Sequence, residues 1–291
     1  MPNVGHSDGA ASTDHDRPLS MAEFRREALD ILKFMAKFAL LVLIIRCLLI
    51  SSFNIPSESM QPRLLIGDYL IVNKSAYGYS RYSLPFDLPL PDGRIFARTP
   101  ERGDVVVFKA PPTQRDDYIK RVIGLPGDQI QVVGGVVLIN GTPVVRRRVA
   151  DAIIPVGENM VEASYGNPCF NGADFEAASA DGGTECRYPR YIETLPNGRS
   201  YAVLDLVMGD ADTTGVYQVP EGHLFLMGDN RDRSYDSRFP AVEGAGIGIV
   251  PQDNLVGEAL VTIFSTDGSA VWYNPISWFS AARWGRIGEG F

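Results

Sequence analysis

The hydropathy pattern of this chain changes character near residue 64, and that change limits the folds open to it. Before it stands a helical segment, with Ala, Glu, Arg and Lys over 21–37 and then Phe38-Ala-Leu-Leu-Val-Leu-Ile-Ile45, Arg46 and Cys47-Leu-Leu-Ile50. After it come only short apolar runs separated by turns, with 29 Gly and 20 Pro in 291 residues. Runs of four to eight apolar residues between turn signals read as strands. They are Leu70–Val72, Val105–Phe108, Ile119–Ile123, Ile130–Val133, Tyr201–Val207, Leu224–Met227 and Leu255–Phe264. Val136–Ile139, Asn140-Gly141 and Pro143–Val145 read as a hairpin with a tight turn. Residues 146–200 have weak periodicity and read as part of an insertion, and no long helical pattern follows residue 60. The expected body is mainly β.

Residues 34–53 have the length of a membrane span, about 20 mainly apolar residues, though Lys37 and Arg46 interrupt them. Long cationic side chains can snorkel to the interfaces. A cleaved signal peptide, a buried core helix and an interfacial helix are the alternatives. The nearest small-x-small triplet after the run is Ser57-Glu58-Ser59. The anchor reading is the one adopted. With Arg17, Arg25, Arg26, Lys33 and Lys37 before the span, the positive-inside rule leaves the N-terminus cytoplasmic and the body outside. The polar residues 1–20 read as disordered.

A net charge of −8 disfavours a general nucleic-acid binder. Three histidines, His6 and His15 in the polar tail and His223 before a strand, make a Ser-His-Asp triad an unpromising reading. Cys169 and Cys186 form a disulfide if their loop-like region faces an oxidising compartment, and otherwise are two free thiols. No cysteine or histidine spacing marks a metal site.

Three segments bear chemistry. Pro56-Ser-Glu-Ser-Met60 places Ser59 just past the apolar segment. A serine needs a base to become a nucleophile. Lys120 lies in the apolar run Tyr118–Ile123, where strand alternation puts it on one face with Tyr118 and Val122. Burial would favour the neutral amine that a base requires. The plainer reading is an amphipathic edge strand with solvated Lys120 and Arg121. Gly228-Asp-Asn-Arg-Asp-Arg-Ser-Tyr-Asp-Ser-Arg238 reads as a charged turn, or as a loop bringing a hydroxyl and charges to a lysine amine.

Taken together, these segments resemble the type I signal peptidases, membrane-bound serine proteases that remove secretory signal peptides. Residues 56–68 resemble the family's nucleophile box, 102–108 its next strand motif, 118–128 its lysine box and 228–238 its late GDN box, in family order. The resemblance implies Ser59 as nucleophile, Lys120 as general base, and Ser57 with the Ser59 N–H as oxyanion donors. It implies Ser234 as the hydroxyl that orients the lysine, and Asp236 as a structural acid paired with Arg238 or Arg121. Ile55, Pro56, Met60, Leu64, Tyr118 and Ile119, and less directly Phe53 and Val107, match wall positions for small substrate residues at −1 and −3. Each of them is also a plausible core residue.

The implied fold has two antiparallel sheet regions with an inserted subdomain. The corresponding boundaries are a tail at 1–33, an anchor at 34–53, a catalytic β-domain at 54–128 and 223–270, an insertion at 129–222 and an aromatic segment at 271–291. No cofactor is expected. The implied partners are signal peptides of exported preproteins and the lipid bilayer, with the body on the outer face of a bacterial inner membrane. The oligomeric state stays open.

The stretch 239–251 is longer than the family pattern. The aromatic segment, with Trp272, Tyr273, Trp278, Phe279 and Trp284, suits either a membrane interface or core packing. Rival readings are a Ser-Lys peptidase of narrow substrate (conjugation-pilin or organelle type), a silent membrane-anchored domain that binds peptides by strand addition, and an autoproteolytic repressor.

Overall fold

The computed structural model describes residues 20–83, 93–180, 182–271 and 273–291. Residues 1–19 of the polar tail, with His6 and His15, and Trp272 lie outside the described residues. The chain divides into two compact units, one through Ile45 and one from Arg46 to Phe291.

Helix α1 (Met21–Leu48) opens on a reciprocal cap. Ser20 N–H donates to Glu23 Oε2 at 2.8 Å, and Glu23 N–H donates back to Ser20 Oγ at 3.3 Å. Phe34, Phe38, Leu40, Leu41 and Leu43 along it are exposed. The stretch expected as an anchor at 34–53 is not one helix, because α1 stops at Leu48 and strand β1 (Ile50–Asn54) follows. Among the described residues, no helix is long and apolar enough to cross a membrane. α1 carries Lys33 and Lys37 in its middle and Arg46 in its last turn, and Ile50 and Phe53 beyond it belong to β1.

The regular structure of the second unit is mainly strand: β2 (Asp68–Asn73), β3 (Val105–Lys109), β4 (Asp117–Gly124), β5 (Gln129–Val133), β6 (Val136–Ile139), β7 (Thr142–Pro143), β8 (Val145–Pro155), β9 (Glu176–Ala178), β10 (Thr184–Thr194), β11 (Ser200–Leu204), β12 (Tyr217–Gln218), β13 (His223–Met227), β14 (Val250–Pro251) and β15 (Leu255–Ser265). Two short helices, α2 (Glu158–Ala163) and α3 (Pro275–Ala281), interrupt it. Among the described residues the strands form three antiparallel sheets rather than two. One has the order β1-β2-β15-β3-β4-β13-β14, a second β12-β5-β6-β7, and a third β11-β10-β8 with β9 on β10.

The Asn140-Gly141 turn is present, with φ of 52° and 77°, and Leu138 faces Pro143 across the hairpin. The long strands β8 and β10 fall in the stretch whose periodicity was weak. β8 reads Val-Arg-Arg-Arg-Val-Ala-Asp-Ala-Ile-Ile-Pro, and most of it is exposed or half-buried. Only Ala152 and Ile154 near its end are buried, and partnership with β10 along its length makes it a strand.

Apolar side chains from all three sheets meet in one core, where Ile123, Phe225 and Met227 pack with Ile130, Val137, Ile139 and Val203. A separate cluster surrounds a Cys169–Cys186 disulfide, whose Cα atoms are 5.5 Å apart. Four of the C-terminal aromatics stand outside the core. Tyr273, Trp278, Phe279 and Trp284 are all exposed, and Phe279 stacks on Trp284 with ring centres 5.8 Å apart.

Candidate active site

Strand β4 is central in its sheet. β3 pairs it on one side, with Val106 facing Lys120, and β13 pairs it on the other, with Met227 facing Arg121. The reading of an amphipathic edge strand with solvated cations therefore fails. Lys120 and Arg121 are each 4% exposed.

Ser59 sits on the turn after β1. Ile55 N–H donates to Asp68 O at 2.8 Å, and Ile55 O accepts from Gly67 N–H at 3.0 Å, which fixes the start of that turn. Its far end is held by the loop after β13, where Asn230 N–H donates to Ser59 O at 3.1 Å. This puts Ser59 Oγ 2.7 Å from Lys120 Nζ. The amine also donates to Ile119 O at 3.0 Å and lies 5.6 Å from the Tyr118 ring centre. Ser57 Oγ is 3.4 Å from Ser59 Oγ.

Burial lowers the Lys120 pKa to about 8, against the charges of Asp236 and Asp229, which favour the cation. Those two carboxylates are themselves paired. Arg121 holds Asp229 with Nε–Oδ1 and Nη2–Oδ2 bonds of 2.8 and 2.6 Å. Arg238 Nε donates to Asp236 Oδ1 at 2.9 Å, and its Nη2 to Oδ2 at 3.0 Å. Burial would raise the Asp236 carboxyl, but Arg238 and the Gly228 N–H hold it below its ordinary value. Of the two partners expected for Asp236, Arg238 is the one that bonds it, and Arg121 serves Asp229.

Ser234 does not make the bond expected of it. It is buried beside the Ser59 backbone, yet among the described residues its Oγ has no hydrogen-bond partner, and the lysine amine donates to Ser59 and Ile119. The residue between them is Gly228. A Cβ there would lie 2.2 Å from Ser234 Oγ and 2.5 Å from Ser59 O. Only a hydrogen at that position lets the late loop close on the Ser59 turn. The glycine that opens the GDN motif carries this role, which sequence reasoning assigned to nobody.

A cleft of about 270 Å³ opens over Ser59 and Lys120. Ile55, Pro56, Tyr118, Ile119, Phe53 and Val107 all line it, as does Ser57. Met60 and Leu64 do not. They are buried beneath it with Leu70 and Val72, so they are core rather than wall. Asn54, Asp117, Arg233 and Tyr235 complete the wall, along with Gly244 and Ala245. The last two come from the long 239–251 loop, so the departure from the family pattern reaches the cleft itself.

One group of carboxylates, Asp205, Asp212 and Asp232, has oxygens within 4.8 Å of one another. Each already has a partner: Asp205 pairs with Arg146, Asp212 accepts from Gly209 N–H at 2.7 Å, and Asp232 accepts from Leu206 N–H at 2.6 Å.

A buried serine–lysine pair beneath an apolar cleft, on a body of antiparallel sheets, defines a class of site suited to acyl transfer. The signal peptidase family, peptidase S26, matches residues 28–264. The chain is 38% identical over 266 residues to signal peptidase I of Rickettsia typhi, covering 85% of this chain and 88% of that protein. It is 37% identical to signal peptidase I of Rickettsia akari, over 85% and 87% of the two chains. A crystal structure of a signal peptidase I from Enterococcus faecalis shares 23% identity over 55% of this chain and 97% of that one, with a TM-score of 0.28, too loose a superposition to add to the fold. The chain belongs to the signal peptidase family, peptidase S26. It is a serine endopeptidase that cleaves signal peptides.

Proposed function

We propose that Ser59 is the nucleophile and Lys120 the general base of this cleavage, at a bilayer surface. The observation that carries the assignment is the 2.7 Å contact between Lys120 Nζ and Ser59 Oγ, made by a lysine buried enough to lose its proton near pH 8. Neutral Lys120 takes the Ser59 proton as Oγ attacks the scissile carbonyl, and hands it to the nitrogen as the C–N bond breaks. Water, deprotonated by the same amine, then frees the acyl group. Ser57 Oγ and the Ser59 N–H are the oxyanion donors. Losing such a donor typically costs about 2.7–4 kcal/mol in the transition state.

Small residues at −1 and −3 enter the cleft between the end of β1 and the start of β4, where Ile55, Pro56, Tyr118 and Ile119 form the near walls. Helix α1, which falls short of a membrane span on hydropathy alone, holds the enzyme at the membrane as a single anchor with its cationic side chains snorkelling. Its exposed apolar run from Phe34 to Ile44 supports this reading, with Lys37 and Arg46 reaching for the two interfaces. The catalytic unit then stands on the outer face of a bacterial inner membrane, where a disulfide such as Cys169–Cys186 persists.

The test is cleavage of a preprotein with an Ala-x-Ala site by the full chain in detergent, beside Ser59→Ala and Lys120→Ala. Both folded variants should be inactive; a variant that still cuts removes its residue from the mechanism. Resistance of the chain to alkaline carbonate extraction tests the anchor.

A further inference from the structure

A second cleft, of about 580 Å³, adjoins the first. The two share Pro56, Ser57, Arg233 and Tyr235 as a common wall. Glu58, Ser234 and Phe170 line only the second. Two buried oxygens here have no hydrogen-bond partner among the described residues, Glu58 Oε1 and Ser234 Oγ, on residues 7% and 4% exposed. Buried polar atoms are almost always paired, and leaving one unpaired is costly. Two on the wall of one cleft mark a place where a ligand supplies the missing partner.

The Glu58 carboxylate is held for that purpose. Arg233 Nε donates to Oε2 at 2.6 Å, which leaves Oε1 as the free acceptor. The Arg233 guanidinium lies 5.9 Å from the Phe170 ring centre. Phe170 is itself fixed, because it follows disulfide-bonded Cys169 and its N–H donates to Tyr188 Oη at 2.9 Å.

A peptide cut at Ser59 must have chain on both sides of the scissile bond. With the −3 to −1 side in the first cleft, the other side leaves past the shared wall at Pro56 and Ser57. It brings a row of backbone N–H donors and, once the C–N bond has broken, a new amine. A carboxylate oxygen accepts from either, and more strongly from the charged amine.

We propose that the second cleft binds the segment on the carboxyl side of the scissile bond, with Glu58 Oε1 accepting from its backbone and Phe170 packing on its side chains. The proposal rests on the Ser59–Lys120 reading.

The experiment uses full-length enzyme in detergent and peptides sharing one signal side ending in Ala-x-Ala. After the scissile bond they carry one residue, four glycines, or four residues that include bulky apolar side chains. In the wild type, kcat/KM should rise about tenfold from the one-residue peptide to the apolar four-residue one, the worth of one good hydrogen bond and some packing. Glu58→Gln should shrink the gain of the glycine peptide over the one-residue peptide. Phe170→Ala should abolish the gain of the apolar peptide over glycine. In both variants the preference at −1 and −3 should be that of the wild type.

Gains unchanged in both variants overturn the proposal, as does a wild type indifferent to the downstream segment. Ser59→Ala run alongside separates the two readings. Residual cleavage by it overturns the dyad, whereas an inactive Ser59→Ala with unchanged downstream gains overturns the second cleft alone.

Discussion

Arg231 Nη2 donates to Glu193 Oε2 at 2.5 Å, and neither side chain is more than 3% exposed. Glu193 comes from β10 and Arg231 from the loop that braces Ser59, so the pair ties the third sheet to the catalytic loop. Tyr201 Oη adds a bond to the same carboxylate oxygen at 2.9 Å, and Arg231 Nε donates to Gly228 O at 3.1 Å. Removing one partner of such a pair strands a buried charge, at a cost of about 3–5 kcal/mol. Glu193→Ala should therefore lower unfolding free energy by that amount in denaturant titration. A loss below about 1 kcal/mol, the range of a surface pair, would show that Arg231 finds another partner.

The pH dependence follows from Lys120. Its folded pKa of about 8 lies below the ordinary lysine value, so the neutral base is scarce in acid and complete above the folded pKa. With chemistry rate-limiting, kcat/KM should rise about tenfold per pH unit below pH 8 and level off above it. A flat profile from pH 6 to 10 removes Lys120 as the base.

The same shift has a stability counterpart of fixed sign. The folded state penalises the cation, so the cost is fully present below about pH 8 and fades as pH rises toward the unfolded value near 10.5. Lys120→Met should thus be more stable than the wild type at pH 7, by a margin on the order of 3 kcal/mol before lost hydrogen bonds are counted. The margin should shrink as unfolding is measured at higher pH. A margin constant across that range would mean the lysine is not desolvated.

Gly228→Ala should be far more damaging than a surface glycine substitution. The added methyl meets Ser234 and the carbonyl of Ser59 at once. A displacement of the nucleophile by about 1 Å can cost about 100-fold in rate. Single-turnover kinetics should show a fall of that order in the acylation step, and Ser234→Gly should not restore it, because the clash with Ser59 O remains.

Met60 and Leu64 separate the floor of the site from its walls. Met60→Ala and Leu64→Ala should cost about 2–5 kcal/mol of stability as buried deletions, while cleavage-site choice in the surviving enzyme stays as it is. Half-buried Ile119→Ala should do the reverse and relax the −1 or −3 preference, while Ile55→Ala, at a wall residue buried in the same cluster as Met60, should do both. N-terminal sequencing of the processed products distinguishes the two patterns.

Much of the catalytic sheet was legible in the sequence, because its strands β3, β4, β13 and β15 are apolar runs between turn signals, and buried strands must be apolar. The segments carrying Ser59, Lys120 and residues 228–238 were legible only through their order and joint resemblance; periodicity by itself favoured a solvated Lys120. β8 and β10 were not legible, since only a short part of each is buried and apolar, Ala152 and Ile154 in one and Cys186 and Tyr188 in the other, and the rest is held by their mutual pairing. The wall residues Gly244 and Ala245 carry no local signal, and their place depends on how a long loop folds back. Ser234 was expected to bond the lysine amine, and among the described residues its Oγ makes no such bond. A one-dimensional motif records that a hydroxyl is near, not which way it turns.

Lys120 belongs to a strand hydrogen-bonded on both sides, while Ser59 stands on a turn. Amide protons in the middle of such a sheet exchange with solvent only when the whole domain opens. The basicity of this amine is therefore a property of the entire folded unit. Heating should abolish it in the same cooperative step that melts the sheet, leaving no partly unravelled enzyme that still cuts.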